Sequence, residues 1–284
     1  MTKISILLPV YNDELFIRKS ISSVLSNTYK DYEIIIVNDG STDNSLNELN
    51  YFDDNRIKIY NKIHSGLIET LNYGLKKCSN EIIMRMDADD EIENDKIAKQ
   101  ITLFKNTKPI VLGTGGTIID NFSKFKRSVN VPEAHIDILK KINQLKASII
   151  HASIMINKDT LLKVGGYDSK FEIAEDYELF LRLSRYGQLR NMNYPLYNIR
   201  KNNDNVSQTR ASTQLLNTLV ARKIYTDKEC KSVTSQSYTN TKKYIQQSIN
   251  YRLLKWIYIN LNNSKNYLIS LILKIFRRLL IQLN

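Results

Sequence analysis

The stretch EIIMRMDADD, residues 81–90, decides how this chain is read. A short apolar run ends in Asp87, Asp89 and Asp90. An unbroken apolar strand is one covered on both faces, as in a parallel sheet flanked by helices. In such sheets, ligands bind beyond the carboxyl ends of the strands. Like charges this dense repel: at ~5 Å and an effective dielectric of ~20, each unscreened pair costs about 3 kcal/mol. The strand end therefore calls for positive charge.

The same pattern recurs on the N-terminal side. KISILL (3–8), YEIIIV (32–37) and RIKIY (56–60) read as strands. Residues 13–27, a segment opened by Ser41 or Thr42 as cap with Asp43 in its first turn, and residues 65–78 and 94–104 read as helices. Asp13 and Glu14 suit the first turn of the first of these. Strands alternating with helices of about a dozen residues indicate right-handed βαβ units and an α/β class. The polar clusters PVYND (9–13), NDGSTD (38–43) and DADD (87–90) should then converge on one sheet edge. Further on, PIVLGTGG (109–116) reads as a strand entering a flexible turn, and 120–131 as a loop or hairpin. HASIMI (151–156) reads as a strand, and the chain turns helical from about Glu175.

Asp87 and Asp89 alternate across Ala88, so on extended backbone they point the same way. Two such carboxylates suit a hard divalent cation, Mg2+ or Mn2+, whose shell water and phosphate oxygens complete. A solvated acidic turn ahead of the helix at about residue 94 fits the same residues, and suits Asp90, Glu91 and Glu93 in particular. NDGSTD is good turn chemistry; it also holds a carboxylate, Asp39, at the expected binding edge. Glu175 and Asp176 stand at a helix start, where the macrodipole favours acids; either could act as a general base. No GxGxxG, GxxxxGK[ST] or GxSxG motif occurs, and the three histidines lack metal-ligand spacing.

The net charge of +12 is concentrated in residues 211–284, where twelve Lys and Arg face two acids. Nucleic-acid binding through this segment has no recognisable module to support it, and none is expected. Residues 265–284 mix apolar and basic residues, and their longest uncharged run, Asn266–Leu273, is far short of the ~20 residues a membrane-spanning helix needs. An amphipathic helix on an anionic membrane surface is expected there, against packing on the main domain. Two cysteines and an N-terminus without a secretory pattern fit a reducing, cytoplasmic setting.

In order, SILLPVYND, IIIVNDGSTDNS, GLIETLNYGL, EIIMRMDADDEI, HASIMI, GGYD and AEDYELFLRL resemble the family 2 glycosyltransferases over about residues 3–210. The resemblance implies a GT-A fold, a Rossmann-like, mostly parallel sheet flanked by helices, over 1–210, with a helical extension over 211–284. It also implies inverting transfer from a nucleotide sugar, most often UDP-linked, to a hydroxyl of a glycan or lipid-linked glycan. The setting it suggests is bacterial capsule or O-antigen synthesis at the inner face of the plasma membrane. By motif position, Pro9, Tyr11 and Asp39 would line the nucleoside pocket, and Arg85 would contact the diphosphate. Asp89 would ligate the cation, and Asp87 would contact the ribose or the cation through water. Asp176 would be the base, with Glu175 beside it. His151 matches a family position and is expected to be structural. One departure stands out: where the family commonly carries a histidine after PLYNIR, this chain has Asn202. A nucleotidyltransferase, the alternative enzyme, would need a Gly-rich basic N-terminal loop, which PVYND is not.

Overall fold

The computed structural model describes residues 2–201, 211–226 and 233–247. These fall into two compact units: 2–138, 148–167 and 186–201 in the first, and the remaining described residues in the second.

The first unit is built on β1 (Ile4–Val10), β2 (Tyr32–Asn38), β3 (Ile57–Asn61) and β4 (Ile82–Arg85). Every residue of β1, β2 and β4 is buried, as expected of mainly apolar strands, and the polar members Ser5, Glu33, Asn38 and Arg85 are buried with them. These strands pair in parallel in the order β3-β2-β1-β4. Helices α1 (Ile17–Leu25), α2 (Ser45–Asn50), α3 (Leu67–Lys77) and α4 (Lys96–Thr107) are interleaved with them in the chain. Beyond β4, the sheet continues through β8 (Met155–Asn157), β6 (Val111–Ile119), β9 (Leu189–Arg200) and β5 (Glu91–Ile92), and β7 (Phe125–Val129) pairs with β6. Six of the nine described strands run in one direction; β5, β7 and β8 oppose them. Helices α5 (His135–Asn143) and α6 (Lys158–Lys163) complete the run to residue 163.

The second unit holds α7 (Glu175–Leu183), α8 (Ala211–Thr226) and α9 (Ser235–Gln247). Phe171, Leu219, Val220, Ile224 and Ile245 form its apolar core. Glu178 is fully buried there and takes a two-pronged bond from Arg182 at 2.7 and 2.8 Å and one from the Tyr225 hydroxyl at 2.6 Å. The amphipathic reading of 265–284 lies outside the described residues.

The α/β alternation is as expected, and 120–131 does form a hairpin arm. Several boundaries differ. Helix α1 begins at Ile17, because Asn12 adopts a left-handed φ of 57° and the amides of Phe16 and Ile17 turn back onto the Asp13 carbonyl. Asp13 therefore sits in a turn, not in a helix. Helix α2 likewise starts late, at Ser45, whose amide donates to Asp43. The glycines of 113–116 make no flexible turn: β6 continues through them, with its register against β9 shifting on both sides of Gly115. A Cβ at Gly116 would lie 2.7 Å from the Tyr197 carbonyl, so glycine lets β9 come close. His151–Ser153 forms a 3-10 turn, which shortens the expected strand to β8.

Candidate active site

The three polar clusters do meet. The Asn12 amide donates to the Ser41 hydroxyl at 3.1 Å, and Asn12 Oδ1 accepts the Thr42 amide at 2.8 Å. The Asp13 amide donates to the Ser45 hydroxyl at 2.8 Å. Ser20 ties α1 to the main-chain oxygen of Asp87 at 3.2 Å. The result is an open cleft of about 260 Å3 at the carboxyl ends of β1, β2 and β4.

One end of the cleft is aromatic and holds a buried carboxylate. Tyr11 stacks on His64, with ring centres 4.0 Å apart and planes 26° from parallel. Below them lies Asp39, which is 2% exposed. It accepts the amides of Ser65 at 3.0 Å and Gly66 at 2.9 Å, and the Lys62 ammonium. Burial alone would raise its pKa, but the bonds from Lys62, Thr70 and the two amides outweigh burial and hold it below the usual carboxylate value.

The other end is acidic. One carboxylate oxygen from each of Asp87, Asp89 and Asp90 lies within 4.8 Å of the other two. Burial, then the Asp87 charge, pushes Asp89 up to about 6. Asp13 faces the same space; burial, then Asp89, pushes it up to about 7. Clustered carboxylate oxygens, with Asp87 and Asp89 half-buried and Asp90 buried, fit a hard divalent cation.

Positive charge already stands behind this end. Arg85, 4% exposed, forks onto Asp87, with Nη1 to Oδ2 at 2.7 Å. Arg200 gives its amide to Asp90 Oδ1 at 2.7 Å and its guanidinium to Asp89 O, Asp120 O and Glu91. The Tyr197 hydroxyl accepts the Asp87 amide at 3.1 Å. The side chains of Asp90 and Glu91 therefore turn to Arg200 and not to the start of α4, whereas Glu93 serves it as the sequence suggests, its main-chain oxygen accepting the Lys96 amide at 3.0 Å. Asp90 and Glu91 anchor Arg200, Glu91 lies in β5, and Glu93 accepts the Asn198 amide at 2.9 Å.

Residues 5–165 match the family described as "Glycosyl transferase family 2". The chain belongs to that family. It is 33% identical over 183 residues to the O-antigen biosynthesis glycosyltransferase WbnJ of Escherichia coli, covering 63% of this chain and 71% of that one. To the chondroitin synthase of Pasteurella multocida it is 30% identical over 221 residues, which is 76% of this chain but 22% of the synthase. Among solved structures, S. aureus TarS 1–349 in complex with UDP-GlcNAc superposes with a TM-score of 0.65 at 16% identity, over 90% of this chain and 79% of that one. The mannosyltransferase PcManGT of Pyrobaculum calidifontis, in complex with GDP-Man and Mn2+, gives 0.62 at 14% identity, over 96% and 84%. At such identities the likeness establishes the fold, which is GT-A.

In this glycosyltransferase, Pro9, Tyr11, Asp39, Asp87 and Asp89 all line the cleft, and Arg85 lies beneath Asp87. Glu175 and Asp176 occupy the first turn of α7 in the second unit, where Asp176 Oδ1 accepts the Tyr177 amide at 2.6 Å. His151 pairs with the Tyr167 hydroxyl at 2.9 Å, and burial holds its pKa well below normal. Asn202 lies outside the described residues. Sequence reasoning missed three residues: Asp13 was assigned to a helix, and Lys62 and His64 follow an unremarkable strand. Only the pairing of β3 beside β2, which delivers that segment to Asp39, could have drawn attention to them. Among the described residues, no helix is long and apolar enough to cross a membrane.

Proposed function

We propose that the enzyme transfers a sugar, with inversion, from a UDP-linked donor to a hydroxyl of a glycan or lipid-linked glycan in surface polysaccharide synthesis. One observation carries this reading: a single cleft has an aromatic face over a buried carboxylate at one end and an acidic cluster at the other. A nucleobase needs the first and a cation-bound diphosphate the second. The O-antigen role of WbnJ and the UDP-GlcNAc complex of TarS support the substrate class and the nucleotide.

In this proposal, Pro9, Tyr11 and Asp39 hold the uridine. Asp87 and Asp89 would hold Mg2+ or Mn2+, which would neutralise charge on the diphosphate. Arg85 fixes Asp87 and adds positive potential beneath the leaving group. Asp176, with Glu175 beside it, takes the proton of the acceptor hydroxyl as the oxygen bonds to the anomeric carbon. The bond from that carbon to the diphosphate oxygen breaks, and the nucleoside diphosphate leaves with the electron pair. We assign residues 1–210 to catalysis and the basic segment 211–284 to an anionic membrane surface on the cytoplasmic side.

Thermal-shift screening of UDP- and GDP-sugars with and without Mn2+, followed by transfer assays, tests the donor. Stabilisation by no nucleotide sugar rejects the reading. In the Asp176→Asn variant, transfer should fall about 10²-fold or more with donor binding retained; near-normal transfer rejects Asp176 as the base. Removing the last twenty residues of the printed sequence should release the enzyme from anionic vesicles, and unchanged co-sedimentation rejects the membrane assignment.

A further inference from the structure

We propose that His64 is a built-in competitor for the nucleobase, occupying both positions a base would take and leaving when one binds. The inference rests on reading the cleft as a nucleotide-donor site. The His64 ring lies flat on Tyr11 at 4.0 Å, while its Nδ1 lies 3.0 Å from Asp39 Oδ2 and 3.1 Å from the Asp39 main-chain oxygen. Both neighbours are acceptors, so Nδ1 carries the proton. An aromatic ring that stacks on a tyrosine and holds its N–H against a buried aspartate, bonded to the main-chain oxygen and 3.0 Å from the carboxylate, presents the same two features as uracil with its N3–H.

Counting acceptor sites on Asp39 shows why something must leave. Oδ1 takes the Ser65 amide and the Lys62 ammonium; Oδ2 takes the Gly66 amide and lies 3.0 Å from His64 Nδ1, and Thr70 bonds the same carboxylate. A carboxylate offers about four lone-pair sites, so none is left for a base while His64 stays. The two amides belong to the main chain at the start of α3. Lys62 is held by two further oxygens, Ile63 O at 2.8 Å and the Ser65 hydroxyl, and its side chain is 15% exposed. The His64 side chain is 51% exposed, and its neighbour Ile63 is 91% exposed. Of the side chains around Asp39, Thr70 is 1% exposed and Lys62 is pinned, so His64 is the one free to swing into solvent.

The turn beneath is shaped for this closure. Gly40 has φ +69°, and a Cβ there would stand 2.8 Å from the His64 amide nitrogen and 3.2 Å from the Lys62 carbonyl. Only glycine allows the segment to settle over Asp39. Ligand affinity is reduced by the fraction of protein in the open state, so a segment closed about two thirds of the time weakens base binding about threefold.

The test compares UMP and UDP binding to wild type and His64→Ala by calorimetry, with GDP, CDP and ADP as further probes. His64→Ala should bind UMP and UDP at least about threefold more tightly, by a similar factor for both because the effect sits at the base end. In wild type, saturation with UDP should shift the His64 ring-proton resonances as the ring leaves Tyr11. Equal affinities, or unmoved His64 resonances, overturn the competitor role while leaving the donor-site reading standing. Weaker binding by His64→Ala also overturns it, making His64 a stacking partner of the bound base. If neither protein binds any of the nucleotides while both remain folded, the donor-site reading fails and this inference fails with it.

Discussion

Arg200 donates from Nε to the main-chain oxygen of Asp89 at 2.8 Å, which ties the end of β9 to the acidic turn. The arginine side chain is fully buried, stacks over Phe16 at 4.7 Å and also bonds the Asp120 carbonyl at 2.5 Å. It thus fixes the backbone that presents the Asp89 carboxylate.

Replacing this clamp should loosen the acidic end before it unfolds the protein. Arg200→Lys keeps the charge but loses the planar fork, so Mn2+ affinity should fall about tenfold or more, the range seen for groups that orient metal ligands. Arg200→Ala leaves Glu91 and two carbonyls without their partner and should cost about 3 kcal/mol of stability or more. Calorimetric Mn2+ titration and urea denaturation read the two effects. Unchanged Mn2+ affinity in Arg200→Lys rules out the clamp role.

Asp89→Asn should lower transfer about 10²-fold or more, by weakening the hold on the cation that would neutralise the leaving diphosphate. UMP binding should hardly change, because the base end of the cleft is separate. Equal losses of UMP binding and transfer would mean that the two ends are not independent.

The buried acids set a pH dependence. Asp13 is raised from 3.8 to about 7, so between those values the folded state keeps a proton that the unfolded state has released. Cation-free stability should therefore fall as pH rises from about 4 to about 7, and stay low above. Asp13→Asn removes this loss: the variant should be more stable than wild type at pH 8 and similar at pH 4. Denaturation curves at the two pH values check this, and a wild type that gains on Asp13→Asn at pH 8 would refute it.

Lys96 acts in the opposite sense. It is fully buried, with Nζ bonded to Gln100 Oε1 at 2.6 Å and Ser153 O at 3.2 Å, and burial lowers its pKa from 10.5 to about 7. Between those values the unfolded state binds the extra proton, so stability rises with pH across that window. Lys96→Met should stabilise the protein most at pH 6, with the gain shrinking toward pH 10. A pH-independent difference would mean that Lys96 does not titrate on unfolding.

The sheet's buried centre was legible because β1, β2 and β4 are mainly apolar, and that composition is local information. The cleft-lining residues Tyr11, Asp39, Asp87 and Asp89 were legible through motif order and strand ends. Asp13 was not, since an acid before an amphipathic helix reads as a helix start unless the turn at Asn12 is known. The glycines of β6 misled because a glycine cluster reads as a turn, whereas here they admit a neighbouring strand. Arg200 and His64 act through partners distant in sequence, which no local pattern records.

That distance has a consequence for synthesis on the ribosome. The Arg200 amide bonds a carboxylate 110 positions earlier, whereas Asn12 meets its partners Ser41 and Thr42 within about 30. The base end can therefore assemble early, while the acidic end must wait for β9 to emerge. A ribosome stalled before residue 200 should display a chain able to bind a nucleoside but unable to hold a cation.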